Sequence, residues 1–208
     1  MRPHVVVFGL DGVRHDTLLA ARTPELDAIA AAGFLAPVRV NDAAPTISGP
    51  GWATIATGVL ADRHGIYDND LTGHRIAKYP DFLTRVRLPD VVVHEEGLTP
   101  AYTAAVESCD RRIGRVLAAI RRRPSYAGER WTLIAVTDHG HVDVVGGHGG
   151  DSEAERTAWI AACGPGVPAE PPARLEQADV HAHVLAALGV EPRREWALAG
   201  RPFFPRPG

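Results

Sequence analysis

The chain has 208 residues, 45% hydrophobic and 23% charged, with a net charge of −3. That is a length for one globular domain with an ordinary core, and a composition that excludes a disordered or fibrous chain. The slight acidic excess gives no basic surface, so neither nucleic acid nor an anionic membrane is an expected partner.

Val5 to Leu10 is a continuous apolar run ending at Asp11-Gly12, the pattern of a buried parallel strand feeding a functional turn. It is too short for a signal peptide, and no stretch approaches transmembrane length, so a cytoplasmic protein is expected. Thr23 to Ala32 predicts a helix, with Thr23 as cap, Pro24 at the first helical position and Gly33 closing it. Trp52 to Thr57 predicts a second, beginning after Ser48-Gly49-Pro50 and stopped by Gly58. Pro100 to Arg123 carries the clearest helical period, with Tyr102, Val106, Cys109, Ile113, Val116, Leu117 and Ile120 three or four residues apart. Its basic end, Arg121-Arg122-Arg123, suits the negative end of a helix dipole. Trp131 to Thr137 is a second buried strand and again ends on an acidic residue, Asp138; Trp159 to Ala162 is a third. Ala178 to Leu188, followed by Gly189, is the last helix, and the Pro-rich stretches near 168–172 and 202–207 read as loop and tail. Cys109 and Cys163, far from any CxxC spacing, read as small core residues rather than a disulfide framework. Strands alternating with helices imply an α/β layered fold on a mostly parallel sheet.

Open α/β sheets place their sites at the C-terminal ends of strands. Asp11, the pair Asp138-His139, and His148 within Gly146-Gly147-His148-Gly149-Gly150 fall there. Carboxylates and imidazoles so gathered form a ligand set for Zn²⁺ or a similar transition metal. A lone Asp after a strand is more often a turn former, but the concentration from Asp138-His139-Gly140-His141 to His148 is harder to dismiss. Upstream, Pro45-Thr46-Ile47-Ser48-Gly49-Pro50-Gly51-Trp52 sets hydroxyls before a predicted helix, whose free N–H groups favour an anion such as phosphate. Taken alone, that segment reads as a helix cap.

In order along the chain stand Phe8-Gly9-Leu10-Asp11-Gly12, Pro45 to Pro50, Thr54 to Gly58, His64-Gly65-Ile66-Tyr67-Asp68-Asn69, Thr137-Asp138-His139-Gly140 and Gly147-His148-Gly149. This series resembles the type I phosphodiesterase/nucleotide pyrophosphatase family of the alkaline-phosphatase superfamily, across nearly all of residues 1–208. The resemblance implies one catalytic domain, a three-layer αβα sandwich around a mostly parallel sheet. It implies two divalent ions, Zn or alternatively Mn, and a small-molecule phosphoester as partner. Ser48 matches the family's nucleophile. Asp11, Asp138, His139 and Ser48 match the ligands of one metal, and His148 a ligand of the other. Metal coordination makes a serine alkoxide available near neutral pH, and two metals about 4 Å apart can clamp an in-line displacement. Gly49 and Gly51 fall on the substrate side.

The pattern has departures. The family's Asp-x-x-Gly-His motif is approximated by Asp90-Val91-Val92-Val93-His94, with Val93 in place of glycine. On a helix, Asp90 and His94 would lie about 5–6 Å apart at Cβ and could share a metal. On a strand they would be roughly 13 Å apart and could not. Three consecutive valines favour a strand, so both readings stand. The stretch between Asn69 and Pro89 is shorter than in relatives, implying a reduced or missing cap insert. Gly51 replaces a phosphate-binding asparagine, which argues against nucleotide specificity. Trp52 stands where a sulfatase requires arginine, which argues against that activity. Rival readings are a phosphonate carbon–phosphorus hydrolase on the same scaffold and a non-catalytic metal-binding remnant.

Overall fold

A computed structural model describes residues 1–70, 88–143 and 146–204. Its sheet has four strands: β1 (Arg2–Gly9), β2 (Gly33–Arg39), β3 (Glu129–Val136) and β4 (Thr157–Cys163). Eight α-helices accompany them among the described residues: α1 (His15–Ala20), α2 (Pro24–Ala31), α3 (Ser48–Thr57), α4 (Ala61–His64), α5 (Pro89–Glu96), α6 (Pro100–Arg121), α7 (Glu153–Arg156) and α8 (Asp179–Ala187). The short middle region falls on residues 71–87, outside the described residues, as does the end of the Pro-rich tail.

The sheet order is β1-β3-β4-β2. β1 and β3 pair in parallel, whereas β4 runs antiparallel to both β3 and β2. The sheet is therefore mixed, a correction to the mostly parallel arrangement expected from the alternation of elements. The chain leaves the end of β3 through a loop and the single-turn helix α7, then returns beside it without a helical crossover, and such a connection gives antiparallel neighbours. A capping box starts the return: the Ser152 hydroxyl accepts from the Glu155 N–H, and Glu155 reaches back to the Ser152 amide.

Period-two alternation sorts β3 and β4 onto two faces. Leu133, Ala135, Trp159 and Ala161 face one cluster, covered by Leu18, Leu26, Ile29, Val92, Val93, Tyr102 and Val106 from α1, α2, α5 and α6. Ile134, Val136, Ile160 and Ala162 face the other, covered by Ile55 of α3 and Val180 of α8. Cys109 and Cys163 are free thiols, Cys163 buried and Cys109 half-buried.

Three local expectations change. β1 is an edge strand rather than a buried one, and Val7 is exposed. Gly33 does not close α2; Ala32 does, and Gly33 opens β2, paired with Cys163. The helix read as starting after Pro50 begins at Ser48 and carries Ser48, Gly49, Pro50 and Gly51 in its first turn. The open question over Val91 to Val93 resolves to a helix: Pro89 takes the first turn of α5, and Val92 and Val93 are buried against α6. Burial against a neighbouring helix outweighs the weak strand preference of valine. Among the described residues, no helix is long and apolar enough to cross a membrane.

Candidate active site

β1 and β3 end side by side, and that adjacency builds the first half of the site. The Leu10 N–H still bonds the Val136 carbonyl at 2.9 Å, after which the chain turns through Asp11-Gly12. The Gly12 N–H donates to Asp138 Oδ1 at 3.1 Å, and the Val13 N–H to Thr137 Oγ1 at 3.1 Å. Gly12 has φ +61, and a Cβ there would lie 2.5 Å from His141 Nε2 and 2.6 Å from Asp90 Oδ1. Only glycine meets both demands, the left-handed backbone and the close approach. Across the turn, the Gln177 amide donates to the carbonyls of Thr137 and Asp138 at 2.9 and 2.7 Å, fixing the end of β3.

Asp138 and His139 are fully buried. His139 Nδ1 faces the Gly140 carbonyl at 3.0 Å, so Nδ1 carries the proton and Nε2 presents a lone pair. That Nε2 lies 3.3 Å from Ser48 Oγ and 3.4 Å from Asp138 Oδ2. The Ser48 hydroxyl donates to Asp11 Oδ1 at 3.2 Å, while the Trp52 indole N–H holds Asp11 Oδ2 at 3.0 Å. Ser48 and Trp52 reach one carboxylate because they are four residues apart on α3.

The second half comes from α5 and the loop after β3. Asp90, His94, His141 and His148 each offer a ligand atom, all within 4.8 Å of one another. His148 Nδ1 donates to the Thr46 carbonyl at 2.8 Å, leaving Nε2 3.0 Å from His94 Nε2. His94 Nε2 is 3.6 Å from Asp90 Oδ1, the reach expected of residues four apart on a helix. Asp90 belongs to both halves: Asp11, Asp90 and His139 form a second group within the same 4.8 Å limit, with Asp138 beside it.

The charges fit a cation. Burial, then the negative charge of Asp90, pushes Asp11 up to about 6. Burial, then Asp11, pushes Asp138 well above the carboxylate range. Burial first, then neighbouring His148, depresses His139 to about 3. The close His139–Asp138 contact is therefore no ion pair, since the imidazole is held neutral. For Asp90, burial alone would raise the carboxyl; the surrounding imidazoles of His141, His139 and His94 reverse the sign and lower it. Among the described residues, Asp138 Oδ2, Asp90 Oδ1 and both ring nitrogens of His141 are buried without a hydrogen-bond partner. Repelling carboxylates, neutral imidazoles and orphaned acceptors are what a divalent metal of the Zn or Mn type would satisfy.

The model of the family described as type I phosphodiesterase/nucleotide pyrophosphatase matches residues 5–84. No curated protein sequence matches the chain. Among solved structures, murine ectonucleotide pyrophosphatase/phosphodiesterase 5, in complex with AMP, aligns at a TM-score of 0.69 and 13% identity, over 92% of this chain and 96% of that one. The human protein of the same name gives 0.69 and 12%, with the same coverage. Ps i-CgsB gives 0.66 and 12%, over 99% of this chain and 76% of its own. At these identities the likeness is one of fold.

The family segment contains Asp11, Ser48, Gly49 and Gly51; Asp90, His94, Asp138, His139 and His148 lie beyond it, and folding brings them to it. Gly49 and Gly51 sit in the first turn of α3, where their N–H groups bond Asn69 Oδ1 at 2.7 Å and the Ile47 carbonyl at 3.2 Å. A Cβ at Gly51 would lie 2.9 Å from Cβ of Asp138, so any side chain there would require a shift. The sequence names His141 only within the histidine-rich run, and gives Trp52, Asn69 and Gln177 no place in the site. For His141 a signal existed, since it stands two residues from His139, and the two rings meet at a centroid distance of 5.4 Å. For Trp52 it was the spacing of four from Ser48.

Proposed function

We propose that the chain is a metal-dependent hydrolase of phosphate esters, acting through a seryl-phosphate intermediate at a two-metal site. The observation that carries this reading is the position of Ser48 Oγ, 3.2 Å from Asp11 Oδ1 and 3.3 Å from His139 Nε2, next to two ligand groups that share Asp90. Asp11, Ser48, Asp138 and His139 would hold one ion, and Asp90, His94 and His148 the other; Zn suits these donors and Mn is the alternative. Such ions supply positive charge to phosphoryl oxygens and lower the pKa of a neighbouring hydroxyl. The helices on both faces of the sheet suit a three-layer αβα domain over residues 1–208, with the cap insert reduced.

The chain's own residues do the positioning. Asp11 Oδ1 accepts the Ser48 hydrogen, which turns the Oγ lone pairs away from that carboxylate. Trp52 fixes the other Asp11 oxygen, so Asp11 keeps its orientation when the hydroxyl moves. The Ser48 oxygen, its proton released to solvent, forms a bond to phosphorus as the ester P–O bond breaks, and the departing alkoxide takes up a proton from solvent. Water then cleaves the Oγ–P bond and restores the hydroxyl. The amide of Ser48, in the first turn of α3, can donate to a phosphoryl oxygen. Gly49 and Gly51, whose N–H groups are engaged internally, offer the substrate a bare backbone surface instead.

Metal analysis alongside turnover of bis-p-nitrophenyl phosphate and p-nitrophenyl phosphate tests the reading. We expect two equivalents of metal per chain, hydrolysis of at least one ester, and loss of both on chelation. Ser48→Ala should abolish turnover and keep metal, bound more weakly. Full activity in Ser48→Ala, or in metal-free protein, would contradict it.

A further inference from the structure

We propose that His141 is a fourth protein ligand of the ion held by Asp90, His94 and His148, so that this half of the site has three imidazoles and one carboxylate. The inference rests on the two-metal reading above and adds a residue to it. His141 is fully buried, and neither ring nitrogen has a hydrogen-bond partner among the described residues. A buried imidazole normally satisfies at least one nitrogen, because an unpaired buried polar group gives up its bonds to water without replacement. Its Nε2 lies 3.1 Å from Asp90 Oδ1, a close approach without hydrogen-bond geometry. Gly12 makes room for it, since any side chain there would collide with this nitrogen.

Four of the six ligand-atom separations are near those of a coordination shell, and the other two are within 4.8 Å. Zinc–nitrogen and zinc–oxygen bonds of about 2.1 Å in a tetrahedron place ligand atoms roughly 3.4 Å apart. The separations here are 3.0 Å between His94 and His148, 3.1 Å between His141 and Asp90, 3.6 Å between His94 and Asp90, and 4.0 Å between His148 and Asp90. The bland alternative is packing: His141 also makes edge contacts with the rings of His94, His139 and His148, at centroid distances of 5.4, 5.4 and 5.0 Å. Packing accounts for the ring but not for two unpaired nitrogens, one of them 3.1 Å from a carboxylate oxygen that is itself unpaired. The consequence is an unequal pair. Four side chains fill a tetrahedral zinc shell, whereas a catalytic zinc keeps one position open. The Asp90 half then draws all four donors from groups outside the reaction, whereas the Asp11 half reaches four only with Ser48, the reacting hydroxyl.

The test compares wild type with His141→Ala and His141→Asn, each stripped of metal, checked for folding by circular dichroism, and titrated with Zn²⁺ and Co²⁺. We expect two equivalents in wild type, with the second-equivalent affinity falling roughly 100-fold or more in both variants, beyond the 10–100-fold typical of residues that only orient a ligand. The visible spectrum of the Co²⁺-loaded protein should change with it. Should neither variant fold, wild-type protein loaded with isotope-labelled cadmium and histidine should show a one-bond cadmium–nitrogen coupling to His141; absence of that coupling overturns the proposal. Two equivalents in wild type, with affinity and Co²⁺ spectrum indifferent to His141, would overturn this inference alone. Fewer than two equivalents in wild type would overturn the two-metal reading and this inference together.

Discussion

The two halves of the site are built by different means. Asp11, Asp138 and His139 stand where β1 and β3 end together, their backbones locked by the Gly12–Asp138 and Val13–Thr137 bonds and by Gln177. Asp90 and His94 stand on a helix of two turns, and His141 and His148 on the loop that follows β3. Burial cuts across the halves, since Asp138, His139 and His141 are fully buried while the Asp11 side chain is 30% and the His94 side chain 43% exposed; what differs is how the backbone is held. A strand-end group is held by the sheet whether or not metal binds, whereas the helix-and-loop group is assembled from pieces that the metal itself would hold together.

Asp138→Ala attacks the rigid half and should have the largest effect. Loss of a buried ligand is expected to remove the ion beside Ser48 and to lower kcat/KM by at least roughly 10³-fold. Metal analysis of the folded variant should find one equivalent fewer; unchanged stoichiometry would show that Asp138 is no ligand. His94→Ala attacks the assembled half. We expect loss of the other equivalent, a fall in activity of about 10²-fold, and a change in thermal stability of no more than about 1 kcal/mol, because the side chain is half-exposed. Equal destabilisation by the two substitutions would erase the distinction between the halves.

Acid should separate the halves without mutation. Asp11 is pushed up to about 6 by burial and by Asp90, and a carboxylate must lose its proton to bind metal. Affinity at the strand-end group should therefore fall about tenfold or more per pH unit below about 6. Asp90, lowered by its imidazole neighbours, stays ionised in that range, and burial shifts the His148 imidazole downward as well. Titration of metal at pH 5 and pH 7 should show the strand-end ion released first, and activity should favour neutral to alkaline conditions. An acid optimum near pH 5 would contradict this order.

Two smaller effects refine the picture. Trp52→Phe removes the N–H that steadies Asp11 and keeps the ring; metal affinity or activity should fall about 10-fold, at the low end for groups that orient a ligand. Thr46 is fully buried, with its hydroxyl donating to the Gly150 carbonyl and accepting from the Gly149 N–H. Thr46→Ala should cost about 1–3 kcal/mol in thermal unfolding and retain most activity. If Thr46→Ala were the inactive variant and Ser48→Ala the active one, the nucleophile assignment would be wrong.

The rigid half was legible in the sequence and the assembled half largely was not, for a physical reason. An apolar run that stops at an aspartate marks a strand end, and Asp11 and Asp138 announce themselves that way. Asp90 and His94 flank three valines whose local preference opposes the structure; Pro89 and burial against α6 decide the outcome, and burial is not visible locally. β2 was missed because it contains Gly33 and Pro37, which suit an edge strand but disguise it. The antiparallel placement of β4 depends on how the loop after β3 returns, and period-two patterning is the same in either direction. α6, by contrast, buries Tyr102, Val106, Ile113 and Leu117 at helical spacing and was read nearly to its ends.

The central claim is that Ser48 carries the phosphoryl group between the two halves, and trapping that adduct tests it most directly. Metal-loaded protein turning over bis-p-nitrophenyl phosphate would be quenched in acid and its peptides examined by mass spectrometry. We expect a phosphoryl ester on the peptide containing Ser48, absent in Ser48→Ala and absent in metal-free protein. Steady hydrolysis with no adduct on Ser48, or an adduct on Thr46 instead, would contradict the account.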